Sequence, residues 1–155
     1  VDVSPLAALT SLGNLDLKTN QIVNVEPLQN LTNLTNLVLW DNVIQDISPL
    51  SSLVNLTFLD LDTNQISNVE SMAFLTEIKT IWLINNNISD FSPLVDNEGL
   101  GAGDSVQLYD NYSTSAAASV ASLEQWCSGD GDKLGQRINF NILGSRGATV
   151  THDCD

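Results

Sequence analysis

One pair of acidic residues in this sequence has the spacing of a catalytic pair. Asp60 and Asp62 are two residues apart among alternating leucines, so on a β-strand their carboxylates would share one face about 7 Å apart. Paired carboxylates of glycoside hydrolases lie at such distances. Any two acids at this spacing meet that condition, however, and a flat strand has no cleft that would desolvate one acid and raise its pKa. We therefore expect Asp60 and Asp62 to face solvent or a partner and not to catalyse a reaction.

The cysteines and the single histidine lie close to the C-terminus. Cys127 and Cys154 are the only cysteines, and we expect them to form a disulfide that stabilises an irregular end of the chain, in an oxidising compartment. Two separate buried thiols are the alternative. His152 would have to take part in any Ser-His or Cys-His arrangement. Because it lies beside the expected disulfide, we predict no catalytic residue, no cofactor and no enzyme activity.

A short acidic loop partly matches a calcium-binding loop. Asp130, Asp132 and Gly135 fit the first part of such a loop. Leu134 stands where an oxygen ligand is needed, however, and Asn141 stands where a bidentate glutamate is needed. We therefore predict no metal site.

The elements that position these residues follow from a repeat of 22 residues. Apolar residues and one asparagine recur at that step without a break. The columns are Leu15, Leu37, Leu59 and Ile81; Leu17, Leu39, Leu61 and Leu83; Asn20, Asn42, Asn64 and Asn86; and Ile22, Ile44, Ile66 and Ile88. Such a repeat is typical of a solenoid, in which successive coils stack and share one continuous core.

The spacing inside one unit predicts the structure of each coil. Leu37 and Leu39 are two residues apart, as on a strand that turns one face to the core. Leu28, Leu31 and Leu34 are three residues apart, which fits a 3₁₀ period better than an α-helical one. Each coil should therefore contain a short strand, a turn and a 3₁₀-like outer segment.

The asparagine column has a structural explanation. A coil that turns sharply after its strand buries backbone donors and acceptors, and an amide side chain can bond to both. We expect a ladder of hydrogen-bonding asparagines at Asn20, Asn42, Asn64, Asn86 and Asn111.

Prolines occupy a column of their own, at Pro5, Pro27, Pro49 and Pro93. A fixed φ and a missing N–H suit the first position of a short helical turn. Met72 lacks the preceding proline, so the fourth unit departs slightly from the pattern.

The repeats resemble those of leucine-rich repeat proteins. The units with Ile-Ser-Pro-Leu at 47–50 and Phe-Ser-Pro-Leu at 91–94 are similar to the 22-residue class of bacterial internalin-like proteins. The resemblance implies an α/β solenoid with a curved parallel β-sheet, short 3₁₀-like convex segments and a C-terminal capping segment. It also implies a protein that is secreted or on the bacterial cell surface.

The chain divides into two parts. Residues 1–112 form the expected repeat array, whose first half-unit suggests that further coils precede it. A segment rich in Gly and Asp at 95–104 lengthens one coil before the motif returns at 105–111. Residues 113–155 form the expected cap, with a short helix or helices, the disulfide and a final strand near 148–152.

Charge and hydropathy exclude two classes of partner. The net charge is −14, from 5 Lys and Arg against 19 Asp and Glu. Nucleic acid is therefore a poor partner, because its phosphates need clustered basic residues. No apolar run is long enough for a membrane span, so we predict no membrane insertion.

The residues on the concave face are the best candidates for binding, because the core does not determine them. Aromatic side chains there would be rigid interface anchors. The predicted contact set is aromatic and acidic: Trp40, Phe58, Asp60, Asp62, Trp82 and Tyr109. We expect non-catalytic recognition of an extracellular or surface protein. Glycan binding by the same face, or a purely structural spacer, are the alternatives.

Overall fold

The computed structural model describes residues 1–108, 110 and 111, and the backbone of residues 149–151. Six short strands in these ranges form one parallel sheet in chain order. The strands are β1 (Asn14–Asp16), β2 (Asn36–Val38), β3 (Phe58–Asp60), β4 (Thr80–Trp82), β5 (Ser105–Gln107) and β6 (Thr149–Thr151).

The repeat length determines how the strands pair. Leu37 lies opposite Leu59, so each residue pairs with its equivalent one coil later. Between β4 and β5 the step lengthens to 25 residues, because Ile81 lies opposite Val106. The hydrogen bonding continues past the strands, since the N–H of Leu39 donates to the carbonyl of Asp60 at 2.8 Å. The predicted leucine-rich repeat solenoid is therefore confirmed.

Short helical segments form the outer side of the coils. Four are 3₁₀ helices, at Ser4–Leu6, Glu26–Leu28, Ser48–Ser52 and Glu70–Phe74. Each of these helices has a proline in its first turn, except Glu70–Phe74. The segment Ser92–Asp96 is instead a short α-helix, α1. The expectation of 3₁₀ structure was wrong there, and this is the coil that the additional residues lengthen.

The core is a continuous column of leucine, isoleucine and valine. Leu37, Leu59 and Ile81 are completely buried, and burial of such a side chain stabilises the fold by about 1.5–3 kcal/mol. Leu15 and Leu17, in the first coil, are only partly buried. No described coil covers their outer side.

The loop before β5 is anchored to the preceding coil. The buried side chain of Asn97 donates to the carbonyls of Met72 at 2.7 Å and Leu75 at 3.0 Å, and accepts from the N–H of Gly99. A Cβ atom on Gly99 would lie 1.8 Å from the carbonyl oxygen of Thr76. This close approach requires glycine, so the longer coil keeps a defined path.

Several predicted features lie outside the described residues. They are Tyr109, the cap helix or helices, the acidic loop near residue 130, His152, and the cysteines Cys127 and Cys154. In the part of the chain that is described, no helix has the length and apolar character to cross a membrane.

Candidate functional site

The strands arrange the concave side chains in three columns. In-register pairing defines the first two columns, and backbone bonds in the following turns continue the third. The columns are Asn14, Asn36, Phe58, Thr80 and Ser105; Asp16, Val38, Asp60, Trp82 and Gln107; and Lys18, Trp40, Asp62 and Ile84. Because neighbouring strands are about 4.8 Å apart, adjacent members of a column are close enough to act together.

Three of the predicted aromatic residues share this face. Phe58 and Trp82 meet edge to face, with ring centroids 5.2 Å apart, while Trp40 is 41% exposed. Phe58 and Trp82 are half-buried. Part of each ring's surface is therefore covered by the other ring.

Backbone groups orient the two acids. One oxygen of Asp60 accepts from the N–H of Asp62 at 3.1 Å, and one oxygen of Asp62 accepts from the N–H of Ile84 at 2.7 Å. Asp60 is 8% exposed. Among the described residues, the second oxygen of each carboxylate has no hydrogen-bond partner.

Burial raises the pKa values of both acids. The pKa of Asp62 rises to about 6, because burial outweighs the N–H of Ile84, which favours the charged form, and because the Asp60 carboxylate is nearby. Burial is also the main cause of the raised pKa of Asp60. The expectation that a flat strand face cannot desolvate these acids was wrong, whereas their orientation toward a partner stays a prediction. Asp60 is buried and Asp62 is half-buried, although both lie on the sheet face.

Asp16 belongs to the same column as Asp60 but lies opposite Val38, where Asp60 lies opposite Trp82. It is exposed, and its pKa is lowered by hydrogen bonds from Lys18. The Lys18 ammonium also lies 3.1 Å from the carboxylate of Asp16. The one lysine on the described concave face is therefore already paired.

The open arrangement of these residues suits binding to a partner better than catalysis, which needs an enclosed site. Asp62 can exchange a proton in mildly acidic solution, but it lies on an open sheet face. Cavities of about 190 and 440 Å³ are lined by residues of turns and 3₁₀ segments, such as Asp46, Ser48 and Glu70, and not by concave residues. Over the described ranges, no group of three or more His, Cys, Asp or Glu side chains is placed to hold a metal ion.

The asparagines form their own array behind the strands. Asn64 donates to the carbonyls of Leu39 at 3.0 Å and Leu61 at 3.1 Å, and accepts from the N–H of Ile44 at 3.1 Å. Asn42, Asn86 and Asn111 repeat this pattern. Each amide therefore links its own coil to the preceding one through backbone groups. Asn20 is exposed, and its side-chain amide donates only to carbonyls of its own coil, those of Leu17 and Lys18.

A second column, of residues with left-handed backbone conformation, lies beside the asparagines and was not predicted from the sequence. The residue before each ladder asparagine has a positive φ between 52° and 58°, at Thr19, Asp41, Thr63, Asn85 and Asp110. Asp and Asn tolerate this left-handed conformation, whereas threonine is strained in it. The recurrence of Asp and Asn before the ladder was the signal that could have revealed it.

Comparison with known proteins supports the fold. A family model of leucine-rich repeats (two copies) matches residues 32–73. Internalin C2 from Listeria monocytogenes is 38% identical over 76% of this chain and 51% of that chain, with a TM-score of 0.67. Another internalin of that organism, InlF, is 30% identical over 66% of this chain and 36% of that chain, with a TM-score of 0.61.

More distant matches extend beyond bacteria. The leucine-rich repeat ectodomain of the receptor kinase SOBIR1 from Arabidopsis thaliana is 30% identical over 56% of this chain and 51% of that chain, with a TM-score of 0.50. No curated protein sequence is significantly similar to the chain. The chain spans about half the length of internalin C2. It is similar to internalins in its repeats and its fold.

Proposed function

We propose that this internalin-like leucine-rich repeat solenoid is a non-catalytic recognition module that binds a protein through its concave face. The observation that carries the proposal is the group of aromatic side chains on that face. Trp40 is 41% exposed, and Phe58 packs against Trp82 outside the leucine core. Large rigid aromatics are common anchors of protein interfaces, because they bury much area at a low entropic cost.

The proposed contact set keeps the six residues predicted from the sequence. Within it, Phe58 and Trp82 touch, and Asp60 and Asp62 are joined by a hydrogen bond. Trp40 lies next to Asp62 in the third column, since the N–H of residue 41 donates to the Asp62 carbonyl. Tyr109 is included by its position in the repeat alone.

We also propose that the protein is secreted or displayed on a bacterial surface. Similarity to Listeria internalins favours this location, and so does the proposed disulfide between Cys127 and Cys154. Thiol titration of the denatured, unreduced protein should detect no free thiol, and two after reduction. Two thiols before reduction would contradict the disulfide.

The binding proposal is tested by affinity capture from extracellular and surface proteins. Wild-type protein is compared with a Trp40→Ala, Trp82→Ala double variant and with Phe74→Ala as a control. Phe74 is a 62% exposed aromatic residue on a 3₁₀ segment, away from the sheet face. Circular dichroism checks that all three proteins are folded.

We expect wild type and Phe74→Ala to capture a protein that the Trp40→Ala, Trp82→Ala double variant does not capture. Identical sets of captured proteins from all three would overturn it. Glycan binding, the second candidate, would appear as Trp-dependent binding to an oligosaccharide array. If neither assay depends on Trp40 and Trp82, the segment has only a structural role.

A further inference from the structure

The concave face carries two acids, Asp60 and Asp62, that form no ion pair among the described residues. Asp60 is more than nine-tenths buried, and one of its oxygens has no hydrogen-bond partner among the described residues. Burying a carboxylate with a single hydrogen bond and no ion pair is costly. The raised pKa of Asp62, about 6, is a consequence of the same desolvation. A cation supplied by a ligand would relieve this cost at both residues.

The other concave charges act on Asp60 in opposite directions, since Asp16 raises its pKa and Lys18 lowers it. In the described columns, the remaining charged side chains are Asp16 and Lys18, which pair with each other at 3.1 Å. Every other described concave position is neutral: Asn14, Asn36, Trp40, Val38, Phe58, Thr80, Trp82, Ile84, Ser105 and Gln107. The negative charge is thus concentrated at Asp60 and Asp62.

Aromatic rings lie next to the acids on neighbouring strands. Trp82 lies opposite Asp60 in the strand pairing. Trp40 occupies the position next to Asp62 on the preceding coil. Indole faces attract cations, most strongly when the cation is desolvated. An arginine guanidinium can stack on such a ring while its N–H groups bond to a carboxylate, whereas an ammonium cannot stack in the same way.

We propose that Asp60 and Asp62 bind the guanidinium of an arginine on the partner protein, between the indole rings of Trp40 and Trp82. This rests on the proposed function, because it specifies which partner residue the concave face recognises. The independent supports are the nearly complete burial of Asp60, its unpaired oxygen and the aromatic residues beside it.

A titration with a small probe tests the site directly. Full-length ¹⁵N-labelled protein is titrated at pH 7.5 with the capped tripeptide Gly-Arg-Gly, and the indole N–H signals of Trp40 and Trp82 are followed by NMR. Capped Gly-citrulline-Gly is the control ligand, because citrulline has almost the same shape without the charge. Trp→Phe variants assign the signals.

The arginine peptide should shift both indole signals, with at least tenfold weaker binding of the citrulline peptide. An Asp60→Asn, Asp62→Asn variant should lose the response, and Asp16→Asn should retain it. Equal shifts with both peptides, or an unchanged response in the double Asn variant, would overturn the proposal. Wild-type-like indole spectra without ligand show that each variant is folded.

The capture experiment separates this inference from the proposed function. A partner that Trp40→Ala, Trp82→Ala loses but Asp60→Asn, Asp62→Asn retains would overturn the arginine site and leave protein recognition standing. Loss of the partner from both variants supports both proposals. Retention of the same proteins by both variants would overturn both.

Discussion

The ring of Phe58 meets the ring of Trp82 edge to face, with centroids 5.2 Å apart and planes inclined at 75°. The two residues are diagonal neighbours on adjacent strands, since Phe58 lies opposite Thr80 and Trp82 lies opposite Asp60. The contact therefore depends on the in-register pairing of β3 and β4. Because the same pairing places Trp82 opposite Asp60, aromatic and acidic residues are neighbours on this face.

A double-mutant cycle should detect this contact. Phe58→Ala and Trp82→Ala should show a coupling free energy of about 0.5–1.5 kcal/mol in urea denaturation, because an edge-to-face pair contributes that much beyond area burial. Phe58 with Phe74, which lies on a separate 3₁₀ segment, is the control pair and should show no coupling. Equal coupling in the two pairs would contradict a specific ring contact.

Removal of a ladder asparagine should be severely destabilising. Asn64→Ala leaves the buried N–H of Ile44 without its acceptor. The carbonyls of Leu39 and Leu61 each lose one of two amide donors, since Asn42 and Asn86 still donate to them. We expect a loss of about 2 kcal/mol in the free energy of unfolding, measured in urea, since one unsatisfied buried N–H costs about 1–3 kcal/mol. Asn20→Ala, at the exposed end of the ladder, should cost less than about 1 kcal/mol. Similar losses at both positions would refute the role of the bonds between coils.

The strained threonine after β3 offers a stabilising substitution. Thr63 has φ of 52°, a conformation that asparagine adopts more easily than a β-branched residue. Thr63→Asn should raise the unfolding free energy by about 1 kcal/mol, seen as a higher Tm. The reverse change one coil later, Asn85→Thr at φ of 55°, should lower it by a similar amount. If both changes move the Tm in the same direction, backbone strain is not the cause.

The apolar columns predicted most of this fold because the period of 22 residues determines strand register directly. Leu37, Leu59 and Ile81 are therefore both predicted and observed to be buried and paired. The α-helical turn at Ser92–Asp96 was not predicted, because it begins with the same Ser-Pro-Leu sequence as the 3₁₀ helix Ser48–Ser52. The coil of Ser92–Asp96 differs in the loop that follows the helix, which is longer than in the other coils.

The site was predicted less completely than the fold. The repeat assigns Trp40 and Asp62 to the concave face, but solvent exclusion depends on how neighbouring side chains pack in three dimensions. The raised pKa of Asp62 is such a property. It could not follow from the spacing of Asp60 and Asp62, which is shared by any two residues on one strand face.

The fourth coil can be stabilised by restoring the proline column. Ser71 replaces proline at the start of the 3₁₀ helix Glu70–Phe74, and its buried hydroxyl has no hydrogen-bond partner. Ser71→Pro should raise the unfolding free energy by about 1 kcal/mol. Proline lowers the conformational entropy of the unfolded chain, and the substitution removes the unsatisfied hydroxyl. Pro49→Ser, the reverse change in the preceding coil, should destabilise in the same urea assay. Destabilisation by Ser71→Pro would show that this coil cannot accept the ring.

The acids of the concave face should make stability fall as pH rises. The pKa of Asp62 is about 6 in the folded protein against an ordinary value of 3.8, so the folded state binds the proton more tightly than the unfolded state does. Ionising the half-buried Asp62 carboxyl lowers the free energy of unfolding. This loss is absent below the ordinary pKa of 3.8, grows as pH rises, and is complete above pH of about 6. Asp62→Asn removes it and retains an acceptor for the N–H of Ile84.

Asp62→Asn should therefore be more stable than wild type by about 1 kcal/mol at pH 7.5, allowing for solvent screening, and equal to it near pH 3.5. Urea denaturation at both pH values measures this difference. Asp16→Asn is the matched control in the neighbouring column, because the pKa shift of Asp16 has the opposite sign. Because hydrogen bonds from Lys18 lower the pKa of Asp16, that substitution should not stabilise the protein at pH 7.5. A gain for Asp16→Asn as large as that for Asp62→Asn would point to general charge repulsion in a chain of net charge −14, and away from desolvation of the Asp62 carboxylate.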